Sequence, residues 1–565
     1  MASLIKKTQG GKKYYYLVES ARVDGKPRIV NQTYIGPVDE VVARLERSGP
    51  GEPDRTAHRA FGDVAAVWSI IETLDVVGIV DEVMGPRRSD AAASVGTYMA
   101  LIVLNRIIAP CSKLAFSEWW ATTVGDRLIK VPKAGLDHRR FWDAMDQIND
   151  TQLTEIERRL TTRMVDVFNI DLSGLALDMT NFATYIDSTN DAAPVAQRGH
   201  AKQKRNDLRL IGLGLVVSTD GGIPLVSHTY PGNKPDVTQF TTVVDELVCR
   251  WGDLATHTGD LTVVYDAGQD SIVNQTHIDQ TALAHVGSLP PSDHPDLLAI
   301  PTSTYTPVDE DRYPGLTHTQ STVTALGSKR HVIVTHSPTL HTKQARGLEQ
   351  TLAKARRQLD ELAARLARRK TRRARDQVQA DIDRFCRPRW VNECLTVTLT
   401  GTTPTDMVLT HQPNQPGRDA LEERVFGKRV LFTDRTDWPP ADIIAAYRSQ
   451  NSVEQDFKQM KDPHTVAFNP MWHWTDQKIR VHTFTCVIAL TAARLLERTA
   501  RQAGHDLSLR RLLADLAGIQ ETTLLYQGDK GRPRARHMTT TMTPNQQQLY
   551  DLFNLDQYAP TKRLR

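Results

Sequence analysis

The chain has 565 residues, 24% of them charged, and a formal net charge of +4. That length excludes a single small domain and allows several cores, and the near balance of charge does not by itself announce a nucleic-acid partner. Five cysteines (Cys111, Cys249, Cys386, Cys394 and Cys486) show no paired metal-ligand spacing and read as mostly buried thiols. No signal peptide and no apolar run of about 18 residues is visible, so a soluble cytoplasmic protein without membrane contact is expected.

Residues 12–36 alternate as a β-hairpin, Lys13–Glu19 and Arg28–Tyr34 about a turn at Asp24-Gly25-Lys26. Basic side chains surround Tyr14, Tyr15 and Tyr16, a combination that can hold phosphate and sugar and that a solvated hairpin shows equally. Residues 38–56 are polar, with Gly-Pro elements, and read as a linker. From 57 to 169 the pattern is helical. Phe61, Val64, Val67, Trp68, Ile71 and Leu74 make one stripe, and residues 95–108 form a nearly all-apolar helix. A third helix is led by Arg139-Arg140-Phe141-Trp142, and a fourth carries Leu153, Ile156, Leu160, Met164 and Val167. Such a bundle suits a dimerisation unit.

Two apolar strands follow that each end on an acid, Leu172–Thr180 with Asp178 and Leu261–Tyr265 with Asp266. Between them lie strand-like runs at 209–217 and 223–230. A helix capped by Asp236 comes next, with Phe240, Val243, Val244, Leu247, Val248 and Trp251 as its stripe. The turn before the second strand holds Lys202, Lys204, Arg205 and Arg209, a phosphate-facing turn or a solvated charge run. Asp187 lies beyond its strand and is a near miss as a functional acid.

An inserted unit is expected at about 285–436. Its ends are β-rich (321–326, 331–335, 394–400 and 428–433), and Leu348, Leu352, Ala355, Leu359, Leu362 and Leu366 form a heptad seam at its centre. Residues 343–389 hold 15 Lys and Arg against 6 Asp and Glu, an excess larger than that of the whole chain. Arg368, Arg369, Arg372 and Arg373 lead this block, for which DNA contact is favoured over a solvated coiled coil. A continuous helix over 343–385 would reach about 65 Å; a helical hairpin is the alternative.

Beyond Asp437-Trp438-Pro439-Pro440, a helix start, Tyr447, Glu454 and Lys461 recur every seven residues and fall on one stripe, with Gln450 close to it. Val453, Phe457 and Met460 form the apolar stripe beside them. Asp456 points away from Glu454. A solvated charged helix has the same pattern. Trp390, Trp438, Trp472 and Trp474 could stack on an unpaired base or serve as core.

Three strands, a helix and a fourth strand, with acids on the first and fourth strands, is the order of a ribonuclease-H-like domain. With Tyr447, Glu454 and Lys461 the chain resembles the DDE transposases of bacterial insertion sequences that carry a Tyr-Arg-Glu-Lys signature; Gln450 stands at the arginine position. Asn105-Arg106, Pro110-Cys111-Ser112-Lys113, Tyr230-Pro231-Gly232-Asn233, His473-Trp474-Thr475 and Ile479-Arg480-Val481-His482 share in the resemblance. It implies an enzyme that cuts double-stranded DNA at the element ends and joins the 3′ ends to target DNA by two-metal phosphoryl transfer. Asp178, Asp266 and Glu454 would be the catalytic acids and the ligands of two Mg²⁺ or Mn²⁺ ions. Tyr447, Lys461 and, in the arginine's place, Gln450 would face DNA phosphate, and a homodimer on nucleoid DNA is expected. A nuclease without joining activity and a non-catalytic DNA-binding descendant are the alternatives.

The implied fold is multidomain α+β. An N-terminal hairpin and linker (1–56) precede a helical domain (57–169), which by the resemblance would bind the DNA ends or else serve dimerisation, and the first part of the ribonuclease-H-like core (170–284). The β-rich insertion with its long basic helical element (285–436), the second part of the core (437–500) and a helical C-terminal region (501–565) complete it.

Overall fold

The computed structural model describes residues 2–23, 25–46, 52–200, 205, 207–254, 261–369, 372–526 and 534–560. The chain divides into two compact units, one of residues 1–66, 117–130 and 510–565 and one of residues 67–116 and 131–509.

In the smaller unit Ala2–Gln9, Lys12–Val23 and Lys26–Pro37 form an antiparallel three-stranded sheet, one strand more than the expected hairpin. The extra strand is joined by Gly10-Gly11, both at positive φ, where a residue without Cβ turns the chain without strain. Part of the expected linker is a helix, Val38–Glu46, whose first turn carries Asp39 and Glu40 as the helix dipole favours. Arg55–Ala60, Gln520–Tyr526 and Arg534–Thr539 form a second antiparallel sheet. The C-terminal region is therefore not helical throughout: its threonine- and leucine-rich run at 522–525 takes the pleated form that β-branched residues favour.

The larger unit begins with α1 (Val76–Met84), α2 (Val95–Ile108), α3 (His138–Met145) and α4 (Asp150–Phe168). Helix α2 is apolar on every side because it is buried from Gly96 to Ile107, and Ser94 caps it by accepting from Thr97 N. Asn149 and Gln152 close a capping box on α4. Of the stripe expected there, Ile156, Leu160 and Met164 are buried and Val167 is exposed.

One nine-stranded mixed sheet forms the centre. Its strands are β1 (Gly174–Thr184), β2 (Arg209–Ser218), β3 (Ile223–Pro231), β4 (Thr262–Val264), β5 (Ala284–Leu289), β6 (Thr306–Pro307), β7 (Thr317–Ala325), β8 (Ser328–His336) and, after the separate pair β9 (Leu395–Thr400) and β10 (Val408–Pro413), β11 (Lys428–Thr433). Their order is β6-β7-β8-β11-β5-β4-β1-β2-β3, with β4 parallel to both β1 and β5 and all other pairs antiparallel. The near-continuous apolar runs of β1 and β2 follow from burial on both faces. Helix α5 (Phe240–Leu254) packs on β2 and β3 through Phe240, Val243, Val244 and Leu247. It is not capped by Asp236, which opens a separate 3₁₀ turn.

Strands β7, β8 and β11, expected to belong to an insertion apart from the core, instead continue the core sheet. The buried run Val430-Leu431-Phe432 pairs with β5 on one side and β8 on the other. What stands outside the sheet is a helical hairpin of α6 (Pro338–Ala367) and α7 (Arg375–Cys386), the alternative to a single long helix. All six residues of its heptad seam are buried.

Helices α8 (Pro440–Ser449), α9 (Asn451–Lys461) and α10 (Asp476–Gln502) complete the unit, α9 lying on β1 and β2. Contrary to the sequence reading, α10 has the length and apolar composition of a membrane span. Of its apolar window 89% is buried inside the protein, which accounts for that composition as core.

Candidate active site

The register of β1 against β4 sets the first two acids. Their last ladder pair is Ala176 with Val264. Asp178 lies two residues beyond that pair on β1, and Asp266 two residues beyond it, past the end of β4. Asp178 is half-buried and accepts from Met179 N (2.7 Å). Asp266 is exposed just past β4 and accepts from Ala267 N (2.8 Å), which starts the next turn.

Asp266 is also held from behind. Ser288 Oγ donates to Asp266 Oδ1 (3.3 Å), and the phenol of Tyr447 lies 3.2 Å from that oxygen and 3.0 Å from Ser288 Oγ. Tyr447 is 7% exposed, packed against Val264, Val286, Leu431 and Ile443. Its phenol is pushed up by burial, and Asp266's charge acts in the same direction against Ser288 and Arg429. Expected on DNA phosphate, Tyr447 is instead a buried holder of Asp266, and Ser288, which the sequence did not single out, shares that task. Behind Asp178, the Tyr230 ring crosses β2 at Gly212, where a Cβ would come within 2.1 Å of it. Tyr230 Oη donates to Asp236 Oδ1 (2.7 Å), and its ionisation is suppressed by burial, then by Asp236 and Asp178.

The expected single stripe of Tyr447, Glu454 and Lys461 is divided at Gln450, where α8 and α9 meet. Gln450 is itself buried, so it does not face a phosphate. Glu454 is exposed, with Lys458 Nζ 3.8 Å away, while Val453, Phe457 and Met460 bury the opposite side of α9. Asp456 faces inward, fully buried on Arg494 (2.6 Å), and burial, opposed by that guanidinium, pushes its carboxyl up to about 7. Lys461 Nζ donates to Thr180 Oγ1 (2.7 Å) and lies over the Phe182 ring. Thr180 is two residues from Asp178 on the same face of β1, so this cation is packed beside the acid strand.

Among the described residues no three Asp, Glu, His or Cys side chains are gathered closely enough to hold a metal ion. Carboxylates without a cation between them repel, so a preformed cage is not the expected resting state. The donor chemistry nonetheless fits a hard divalent ion: Asp178, Asp266 and Glu454 offer carboxylate oxygens. Asp270, four residues after Asp266, adds a second indication. Neither of its buried oxygens has a hydrogen-bond partner, and burial, followed by the charges of Asp266 and Asp293, pushes its carboxyl up to about 8. The Asp266-Ala-Gly-Gln-Asp270 spacing was its only signal in the sequence.

The candidate DNA contacts differ among themselves. Lys202 and Lys204 lie outside the described residues. Arg205 is exposed and forked onto Asp207 (2.9 and 2.7 Å). Arg209 does not face solvent: it donates to the carbonyls of Ala196 (2.6 Å), Asn190 (2.6 Å), Asp187 (3.3 Å) and Ala193 (3.3 Å), clamping the segment before β2. Arg368, Arg369 and Arg372 are exposed at the tip of the α6–α7 hairpin, whereas Arg373 is tied to Asp381 and the Gln377 carbonyl. Trp390 packs on Phe426 and under Arg389, and Trp438 against the core; Trp472 and Trp474 are exposed. Asp187 accepts from Thr189 and takes no part in the acid edge. The five cysteines are free thiols, of which Cys386, Cys394 and Cys486 are buried as expected and Cys249 is exposed.

Residues 175–466, more than half of the chain, match the family model described as Transposase DDE domain. That span takes in Asp178, Asp266, Glu454 and Lys461. Comparison with curated proteins gives no match. Among solved structures the chain is similar to a piggyBac transposase synaptic complex with hairpin DNA, determined by cryo-electron microscopy. The identity is 9%, the coverage 90% of this chain and 86% of that one, and the TM-score 0.37, too low for the likeness to bear on function.

Proposed function

We propose, from the premise that the chain belongs to the transposase DDE domain family, that it is the transposase of a bacterial insertion sequence. On this reading it cuts double-stranded DNA at the element ends and joins the freed 3′ ends to target DNA, working as a homodimer on nucleoid DNA. The observation that carries the reading is the parallel pairing of β1 with β4, beyond whose last pair, Ala176 with Val264, Asp178 and Asp266 each follow at the second residue. The strand order β3-β2-β1-β4-β5 supports a ribonuclease-H-like core.

Asp178, Asp266 and Glu454 would hold two Mg²⁺ or Mn²⁺ ions, which supply activation of a water or 3′-hydroxyl and stabilise the leaving oxygen. The chain's own residues prepare that chemistry. Ser288 and Tyr447 fix the Asp266 carboxylate, so that its free oxygen keeps one direction. Lys461, anchored on Thr180, places positive charge beside Asp178, where a DNA phosphate would approach. Glu454, exposed on the edge of α9, would be the third carboxylate of the set.

The test is a cleavage and strand-transfer assay on supercoiled plasmid carrying the native ends, in Mg²⁺ and in Mn²⁺. Glu454→Gln keeps size and helix propensity while removing the charge, so cleavage and joining should be lost and binding to the ends kept. If Glu454→Gln cuts as well as the wild type in both metals, Glu454 is not the third acid and the reading fails.

A further inference from the structure

A second concentration of unusual chemistry in the larger unit, apart from the acid edge, lies where the end of α2, the start of α3 and the α9–α10 connection meet. These segments enclose an open cleft of about 430 Å³, within the roughly 300–1,000 Å³ range of small-molecule sites. Its rim is apolar and exposed: Trp472 is 58% accessible, Trp474 59%, Trp142 40% and Leu114 71%. Three indoles left open around one concavity are unusual unless something flat is laid against them.

The floor is cationic. Arg106 and Lys113 are buried, and no Asp or Glu is among the residues that line the cleft. Arg106 commits one arm to the Ala467 carbonyl (3.0 Å), and among the described residues Lys113 Nζ meets a ring nitrogen, His473 Nε2, at 3.4 Å and no carboxylate. Lys478, the third cation, reaches Asp146 (2.9 Å) outside the lining. His482 donates from Nε2 to the Phe468 carbonyl (2.9 Å), which leaves its buried Nδ1 without a partner. Burial, then Arg106, brings the Lys113 ammonium down to about 7, and burial with Lys113 and Arg106 holds His473 well below its usual range. Cations taken out of water without a counter-charge are costly, and an arriving anion removes that cost.

The cleft lining is also in contact, through its neighbours, with the acid strand. Asp178, Thr180 and Phe182 alternate along one face of β1, about 13 Å from end to end. Phe182 stacks on Phe468 at 4.1 Å, and Phe468 meets the ring of His482, a lining residue, at 5.2 Å. A stack of buried rings therefore links the acid strand to the cleft lining.

We propose that this cleft binds an unpaired nucleotide of a DNA strand, its base laid on Trp472 and Trp474 and its phosphate drawn to Lys113 and Arg106. A free mononucleotide has the same chemistry; the preference for a strand rests on the transposase reading, whereas the assignment of base and phosphate to the cleft does not. Trp142 and Leu114 wall the base in.

The test uses the full-length chain in EDTA, so that loss of cleavage cannot be confused with loss of binding. Anisotropy of a labelled eight-nucleotide single strand, competed by unlabelled strand, by duplex of the same length and by dAMP, reads the affinity of each. The double variant Trp472→Ala/Trp474→Ala changes two exposed side chains and should fold as the wild type does, checked by its unfolding curve. It should weaken the single strand about 5- to 150-fold, the factor for one base–aromatic stack, and leave duplex affinity unchanged. Unchanged single-strand and dAMP affinity in a folded double variant overturns the proposal. Tighter binding of dAMP than of the single strand, lost in the same variant, overturns its assignment to a DNA strand.

Discussion

The acid edge and the tryptophan cleft, both in the larger unit, handle charge in opposite ways. At the edge the candidate catalytic carboxylates are kept in or near solvent: Asp266 and Glu454 are exposed and Asp178 is half-buried. Of the acids that do go inside, Asp456 is met by Arg494, whereas the buried oxygens of Asp270 have no hydrogen-bond partner. In the cleft, Arg106 and Lys113 are buried with no carboxylate facing them. A carboxylate that waits for a metal can wait in water, whereas a cation placed under an aromatic rim has been desolvated in advance of its ligand. The first arrangement costs little stability and the second a good deal.

The strongest way to break this comparison is to make the edge resemble the cleft. Arg494→Met leaves Asp456 buried without its partner and should cost about 3–5 kcal/mol, read from urea unfolding. Glu454→Gln, at an exposed position, should stay within about 0.5 kcal/mol of the wild type. Equal losses from both would mean that burial does not distinguish the two acids.

Next in size is the hold on Asp266. Ser288→Ala removes a donor to its carboxylate without touching the acid, and should weaken divalent-metal activation of cleavage by about 10–100-fold. Titrating Mn²⁺ in the plasmid assay checks this, and excess metal should recover most of the rate.

The cleft makes a prediction in pH. The folded Lys113 titrates at about 7 against an ordinary 10.5, so between those values the unfolded chain binds more protons than the folded one. Stability from this group therefore rises with pH across that window, and the cost of burying the charge is full below pH 7. Lys113→Met removes the cost, so its Tm relative to the wild type should be higher at pH 6 than at pH 9. An equal shift at both pH values would show that the ammonium is not desolvated as the cleft requires.

The smallest effect is expected at the α6–α7 tip. Arg368→Gln with Arg372→Gln should lower end affinity modestly and reduce the salt slope by about one for each phosphate no longer neutralised. Arg373→Gln should act on stability instead, through Asp381.

The acid strands were legible because a run buried on both faces has a plain signature, and a carboxylate at its end interrupts it. The heptad seam of α6 was legible for the same kind of reason, since its period is local. Tyr447 was misread because a seven-residue spacing does not encode the break at Gln450, nor which side of the helix meets the sheet. The pairing of Val430-Leu431-Phe432 with β5 escaped as well, because ladder partners about 140 residues apart leave no periodic trace. Arg209 looked like a phosphate ligand by charge alone, and only the four carbonyls around it show its use as a clamp. The cleft was on view in pieces: Arg106, Lys113, Trp474 and His482 all stood in segments of the family resemblance. Nothing in the sequence says that Lys113 and His473, 360 positions apart, touch.

The continuation of the core sheet through β11, β8 and β7 has a consequence for dissection of the protein. An insertion hung on two flexible linkers could be cut away to leave a minimal catalytic core. Here excision of residues 290–433 would strip β5 of its partner and bare a row of unpaired amides and carbonyls beside Val286 and Leu289. Such an edge is a template for the next chain. A truncated enzyme should accumulate as aggregate rather than as a small nuclease, while trimming only the α6–α7 hairpin and its β9–β10 support leaves the sheet sealed.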